Sequence, residues 1–301
     1  MSLPKKYMAI VLRAAARRYP LYSGCGRIAA SRPFVAATGS DATPQWSRLR
    51  SGPFILTPRN DWVGRALYYF GDLDRKLSWI FQRLLQPGHT VLDVGANIGC
   101  MSLVARQLVG PTGTVHAFEP QPGLVSLLRE SAKRNGFSNL HVHGLALGAA
   151  NQTLELAIPA GNLGAASFAR VMPPYQSVRK IAVPVHNASE YFESLNLDRI
   201  RLMKMDVEGF EAEVIRGAMD YFAGNRPDVI VSEMNDQAGS FHHQPVVQLL
   251  QRLDYRFFSI PKALFRVRLR PIDAGAEKYS HDILAVSAAR LPEIGAALGS
   301  V

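Results

Sequence analysis

Asp93, Gly95, Asn97 and Gly99 fall within nine residues, VLDVGANIG (91–99), and Glu119 closes the next apolar run in AFEP (117–120). Two glycines let the backbone close tightly on a ligand, and a helix starting at this point would present its N-terminal amides. A dinucleotide would call for GxGxxG without an acid ahead of it, because a carboxylate repels a pyrophosphate. Asp93 instead suits a cationic amino acid moiety, held directly or through water, and Glu119 can accept both hydroxyls of a ribose. The expected ligand is a positively charged nucleoside without phosphates, a description that S-adenosylmethionine fits. In a bland reading the same two acids cap a helix or sit in solvent.

A second acidic cluster lies at 204–211, KMDVEGFE. Displacement at a sulfonium needs alignment more than acid catalysis, but a hydroxyl acceptor is a weak nucleophile until a base takes its proton. Asp206 at a strand end is the expected base. Glu208 is close by, and clustered carboxylates raise one another's pKa. Glu211, and in a bland reading Glu208, cap the helix that follows. Lys204 lies two residues before Asp206 on the same sheet face, where an ion pair would orient Asp206 and lower its basicity. His242 is a further candidate base, with His186 and His243 as others; paired loop histidines are more often merely exposed. A metal held by Asp206, Glu233 and Asn235 would be an alternative to the base, but none is expected.

These residues need a scaffold of alternating elements. Helical spacing marks 72–85 and a Gln86-Pro87-Gly88 stop. Strands follow at 90–95, 114–119, 141–147, 153–158, 181–185, 201–207 and 228–234, with helices at 98–109, 122–135, 188–195, 209–222 and 244–253. The fold class is α/β, doubly wound around a parallel sheet. RFFSI, FRVRLRPI and HDILAVS look like closing strands, with Phe265, Val267 and Leu269 packing and Arg266, Arg268 and Arg270 in solvent. MPPY at 172–175 begins with Met where amino-group methyltransferases have Asp or Asn, so nitrogen methylation is disfavoured. The stretch 159–180 reads as a loop or lid.

The formal net charge of +10 is concentrated at the start: residues 1–50 hold nine Lys or Arg against Asp41. Residues 1–53 are expected to form a basic arm, partly disordered or helical, ahead of a domain over 54–301. The arm suits an anionic partner such as a membrane surface, although a solvated tail or a transit peptide is compatible with the same composition. Met8 to Leu12 is too short an apolar stretch for a signal-peptide core. The expected location is cytoplasmic, peripheral to a membrane at most. Cys25 and Cys100 are expected as free thiols.

VLDVGANIG, AFEP, MKMDVEGFEAEVIRGA (203–218) and RPDVIVSE (226–233) together resemble FkbM-type S-adenosylmethionine-dependent methyltransferases, over roughly residues 54–235. The resemblance implies the class I methyltransferase fold with a seven-stranded mixed sheet. It also implies Asp93, Gly95, Asn97, Gly99 and Glu119 at the cofactor, and methylation of a hydroxyl on a sugar, glycolipid, polysaccharide or secondary metabolite. GDLD (71–74) departs from the family's approach segment, with Leu73 and Asp74 in place of an aromatic residue and Glu. Two other functions compete: an RNA methyltransferase using the arm, for which the arm's aromatic residues are too few, and a non-catalytic binding protein docked on a membrane.

Overall fold

The computed structural model describes residues 3–39, 42–168, 177–234, 240–273, 276 and 279–299. In chain order the strands are β1 Gln45–Arg48, β2 Phe54–Thr57, β3 Thr90–Val94, β4 Thr114–Phe118, β5 Leu140–His143, β6 Ala146–Gly148 and β7 Gln152–Pro159. They continue with β8 Val178–Asn187, β9 Ile200–Met205, β10 Val229–Glu233, β11 Tyr255–Ser259, β12 Arg270–Pro271 and β13 Asp282–Ser287. The helices are α1 Leu3–Arg17, α2 Cys25–Ala29, α3 Arg32–Thr38, α4 Trp62–Phe70, α5 Arg75–Leu84, α6 Cys100–Val109, α7 Pro122–Arg134, α8 Ala188–Ser194, α9 Glu211–Asn225, α10 Pro245–Arg252 and α11 Leu291–Leu298.

The main sheet runs β12-β11-β13-β10-β9-β3-β4-β5. β3, β4, β5, β9 and β10 are parallel, and β13 is antiparallel to both β10 and β11. Without the two-residue β12 this is the seven-stranded mixed sheet of the class I methyltransferase fold. Period-two alternation divides the core: Val91 and Val115 pack on one face, Leu92, Val94 and Phe118 on the other. Central β3 is buried throughout, as a strand covered on both sides must be. From β3 the chain crosses through α6 to β4 on one side, while β9 lies on the other. The strand order therefore reverses between β3 and β9, where a crevice opens at the carboxyl ends.

Three expectations need correction. The strand expected at 141–147 is interrupted at Gly144: β5 stays in the main sheet, whereas β6 pairs parallel with β8 in a separate sheet ordered β6-β8-β7. Of FRVRLRPI only Arg270–Pro271 pairs, with Phe258 and Ser259. Val267 and Leu269 are buried as expected, but Phe265 is exposed, because the chain turns away to meet Tyr22 and Ser23.

The third correction concerns the arm. Two of its arginines tie it to the fold, while Arg18, Arg27, Arg32 and Arg48 are exposed: Arg17 donates to Ser47 Oγ at 2.8 Å and to the Arg48 carbonyl, and Arg50 donates to the Arg17 and Tyr19 carbonyls at the end of α1. Cations at a helix C-terminus are favourable there. Ala16, Cys25 and Ala29 join Tyr69 and Phe70 in one cluster, so the arm's helices are packed against α4. The loop expected after Ser40 contains the β1–β2 hairpin, held by buried Ser47, Leu49 and Ile55. Both cysteines are free and buried.

Candidate active site

A cleft of about 600 Å³ opens at the reversal point, lined by Gly95, Asn97, Glu119, Asp206, Glu208 and Phe210 among others. It is therefore bounded by the turns after β3, β4 and β9, with Leu163 to Phe168 across it. No lysine or arginine lines it among the described residues, while three carboxylates do.

The two main loops meet through backbone. Gly95 has φ 76°, and a Cβ there would stand 1.8 Å from the Asp206 carbonyl oxygen, so only glycine permits the approach. Asn97 and Glu208 also take positive φ, 54° and 52°, and are not glycine. Such strain of about 1–3 kcal/mol persists where surrounding structure enforces it, often at functional sites. Asn97 stabilises its turn by accepting from the Ile98 amide at 2.6 Å.

Glu119 extends from the end of β4. Its carboxylate accepts from the Asn97 and Gln121 amides, each at 2.9 Å, tying the first loop to the second strand end. Burial pushes its pKa up to about 7 despite those bonds. Asp93 behaves differently. It is fully buried and does not line the cleft: Oδ2 accepts from Ser102 Oγ at 2.5 Å, and Oδ1 faces the Lys204 ammonium at 3.4 Å. Asp93 therefore stands behind the cleft lining and not in it. Lys204 also donates to the Gly95 carbonyl at 2.8 Å and pairs with Asp206 at 3.4 Å, the ion pair expected from their spacing. Burial alone would lower its pKa, but Asp206 and Asp93 reverse the sign and hold it charged.

Beyond β9 and β10, one oxygen each from Asp206, Glu208 and Glu233 lie within 4.8 Å of one another. Burial would raise the Asp206 carboxyl, yet Lys204 and a hydrogen bond from Glu233 hold it below its usual range. Glu233 is raised by burial and by the Asp206 charge, which favours a proton held between the two carboxylates. Glu208 is pushed up to about 7 by burial, then by the Asp206 and Glu211 charges. Glu211 does not take the capping role expected of it: it accepts from the Val207 amide at 3.1 Å, in the turn ahead of α9, and that helix has no side-chain cap. The three acids have the hard oxygens a divalent cation takes, but a cation would displace the shared proton. Asn235 and MPPY lie outside the described residues.

His242 is not brought to the cleft. Its ring nitrogens contact the Asp273 carbonyl at 2.9 Å and Gln251 Nε2 at 2.6 Å, because the short helical turn Phe241–His243 folds against α10 instead of the strand ends. His186 packs against Tyr191, and His243 is exposed. The sequence reading missed His281, whose Nδ1 lies 2.8 Å from Glu233 Oε1. Its signal was present: His281 directly precedes β13, whose Asp282 pairs with Glu233. It also missed Gln121, which donates to the Leu163 carbonyl at 3.0 Å and helps hold the covering segment. Asp61 accepts from the Leu163 amide at 2.7 Å, and Ser167 donates to the Glu208 carbonyl at 2.7 Å, so three elements anchor that cover.

In the approach segment, Asp74 accepts from the Lys76 amide at 2.9 Å as the cap of α5. The Lys76 ammonium lies 2.5 Å from Asp282 and 3.4 Å from Asp74. Asp282 is opposite Glu233, so the segment is linked by charge to the acidic cluster.

The profile of the methyltransferase FkbM domain matches residues 93–257. The chain belongs to the FkbM-domain methyltransferases. Their methyl donor is S-adenosylmethionine. "Methyltransferase 1" of Beauveria bassiana is 28% identical over 170 residues, 50% of this chain and 66% of that protein. The "31-O-demethyl-FK506 methyltransferase FkbM" of Streptomyces tacrolimicus is 53% identical over 51 residues, 17% of this chain and 19% of that protein. The chain thus matches less than two thirds of the length of either relative. Among solved structures, an FkbM methyltransferase from Methylobacillus flagellatus aligns with a TM-score of 0.39 at 14% identity, over 75% of this chain and 53% of that one.

Proposed function

We infer that the protein is an O-methyltransferase that transfers the methyl group of S-adenosylmethionine to a hydroxyl of a sugar, glycolipid, polysaccharide or secondary metabolite. The observation that carries the reading is the sign of the cleft: Glu119, Asp206 and Glu208 line it without a lysine or arginine among the described residues. A phosphate-bearing cofactor would be repelled there and a sulfonium attracted.

Within this reading Glu119 accepts the ribose hydroxyls, and the Gly95–Gly99 backbone follows the methionine end. Asp93 acts at one remove, fixing Lys204 and through it the Gly95 carbonyl. Glu208 takes the acceptor's proton, Asp206 orients the site, and Phe168 and Leu163 exclude water. The bound cofactor supplies an activated methyl group. The name of the Streptomyces relative, a 31-O-demethyl-FK506 methyltransferase, agrees with a hydroxyl acceptor.

Titration calorimetry tests the cofactor. S-adenosylmethionine is expected to bind and ATP not to; the reverse order would remove this reading. Affinity is also expected to rise with pH. Glu119 has a raised pKa in the free fold, so its ionisation costs stability as pH climbs from the ordinary carboxylate value through about 7. Ribose hydroxyls donate to the ionised form, so a gain on the order of tenfold is expected across that interval. Glu119→Gln should bind more weakly with a flat profile. A wild-type affinity independent of pH between about 5 and 8 would contradict the assignment.

The RNA reading gains nothing from the arm's aromatic rings. Tyr19 and Phe34, two of the arm's aromatic rings, pack edge-on against Phe70 and Tyr69 and are not free to stack on bases.

A further inference from the structure

Phe265 was expected to pack and instead is 73% exposed, beside Leu264 at 58%. Phe265 is the most exposed large apolar side chain among the described residues. The two form the tip of a held loop. On either side Ala263, Val267 and Leu269 are buried in the core, the Tyr22 amide donates to the Leu264 carbonyl at 2.9 Å, and the Ala263 amide donates to Ser23 Oγ at 3.2 Å. A fold that anchors both flanks while presenting Leu and Phe to water retains an unfavourable exposure of apolar area.

The charge around the tip indicates what covers it. Lys262, Arg266, Arg268 and Arg270 are all exposed, and no acid occurs from Ile260 to Ile272. None of these four cations has an ion-pair partner among the described residues. Exposed apolar side chains ringed by unpaired cations match an anionic bilayer surface, where aromatic and aliphatic groups enter the headgroup region and each nearby cation adds to the attraction. No helix among the described residues is long and apolar enough to cross a membrane, so contact would be at the surface.

We propose that the Leu264–Phe265 tip, with Lys262, Arg266, Arg268 and Arg270 around it, docks the protein on an anionic lipid bilayer. This places the membrane contact on the tip and not on the arm. The arm is its support, through Tyr22 and Ser23. The outward side of α1, with Tyr7, Ile10 and Val11 exposed, is a separate apolar surface.

Co-sedimentation of the full chain with vesicles tests the proposal. The protein is expected to sediment with phosphatidylcholine vesicles containing phosphatidylglycerol, to remain in solution with phosphatidylcholine alone, and to be released by high salt. Leu264→Ser combined with Phe265→Ser, and separately Arg266→Gln combined with Arg268→Gln, should each weaken binding on the order of tenfold. Thermal midpoint and S-adenosylmethionine binding should not change, since these side chains face solvent and lie outside the cleft. The proposal is overturned if the wild type ignores anionic vesicles or the serine pair sediments like the wild type. It is equally overturned if Ile10→Ser with Val11→Ser abolishes binding while the tip variant does not, or if the tip instead mediates a concentration-dependent dimer seen by sedimentation velocity without lipid.

Discussion

Gly95→Ala is expected to lower stability by about 2–5 kcal/mol and S-adenosylmethionine affinity on the order of a hundredfold. Two costs combine. A left-handed φ of 76° disfavours any Cβ by about 1–2 kcal/mol, and the new methyl would meet the Asp206 carbonyl at 1.8 Å. That obstacle is backbone and cannot swing aside like a side chain. Separating the two loops also moves the Gly95 carbonyl off Lys204, whose ammonium then faces Asp93 and Asp206 with one bond fewer. Gly161→Ala isolates the first cost, because Gly161 has φ 79° with nothing within 4 Å of its Cβ position. Urea unfolding of both variants measures the difference; equal midpoints would show that the contact between the loops does not hold them.

The same pair of loops shows what could be read from sequence. Asp93, Gly95, Glu119 and Asp206 were placed at strand ends because apolar runs terminating in an acid or glycine mark where a buried parallel strand meets solvent. The alternation of such runs with helices then fixes the doubly wound order. Side-chain direction was less legible. Asp93 is expected to hold the ligand directly or through water; its place on a buried strand opposite Lys204 sets it behind the cleft lining, a fact of register between strands a hundred residues apart. The Phe265 error has a similar cause: alternation predicted its face, but the neighbour that would have covered it is missing because β12 is only two residues long. Arg17 and Arg50 illustrate a third limit. Composition counts charge without telling that the Arg48 and Tyr68 carbonyls take up Arg17 and that carbonyls at the end of α1 take up Arg50.

On the proposed reading the acid that takes the acceptor's proton is Asp206 or Glu208, and pKa and geometry together favour Glu208. Asp206 is paired with Lys204 and hydrogen-bonded with Glu233, so it stays ionised but is a weak proton acceptor. Glu208, raised to about 7, is better matched to general base catalysis near neutral pH, and its strained backbone holds the carboxyl over the cleft. Glu208→Gln is therefore expected to slow methyl transfer by on the order of a hundredfold to ten-thousandfold while calorimetric binding of S-adenosylmethionine is retained. In the wild type the single-turnover rate should rise with pH through about 7 as Glu208 loses its proton, and this limb should vanish in the variant. Chelator-treated protein should keep the same limb, because on this account the proton leaves to a carboxylate and not through a cation held by Asp206, Glu208 and Glu233. A variant that transfers at the wild-type rate would remove Glu208 as the base; a wild-type rate abolished by chelator and restored by a divalent ion would assign the three carboxylates to a metal instead.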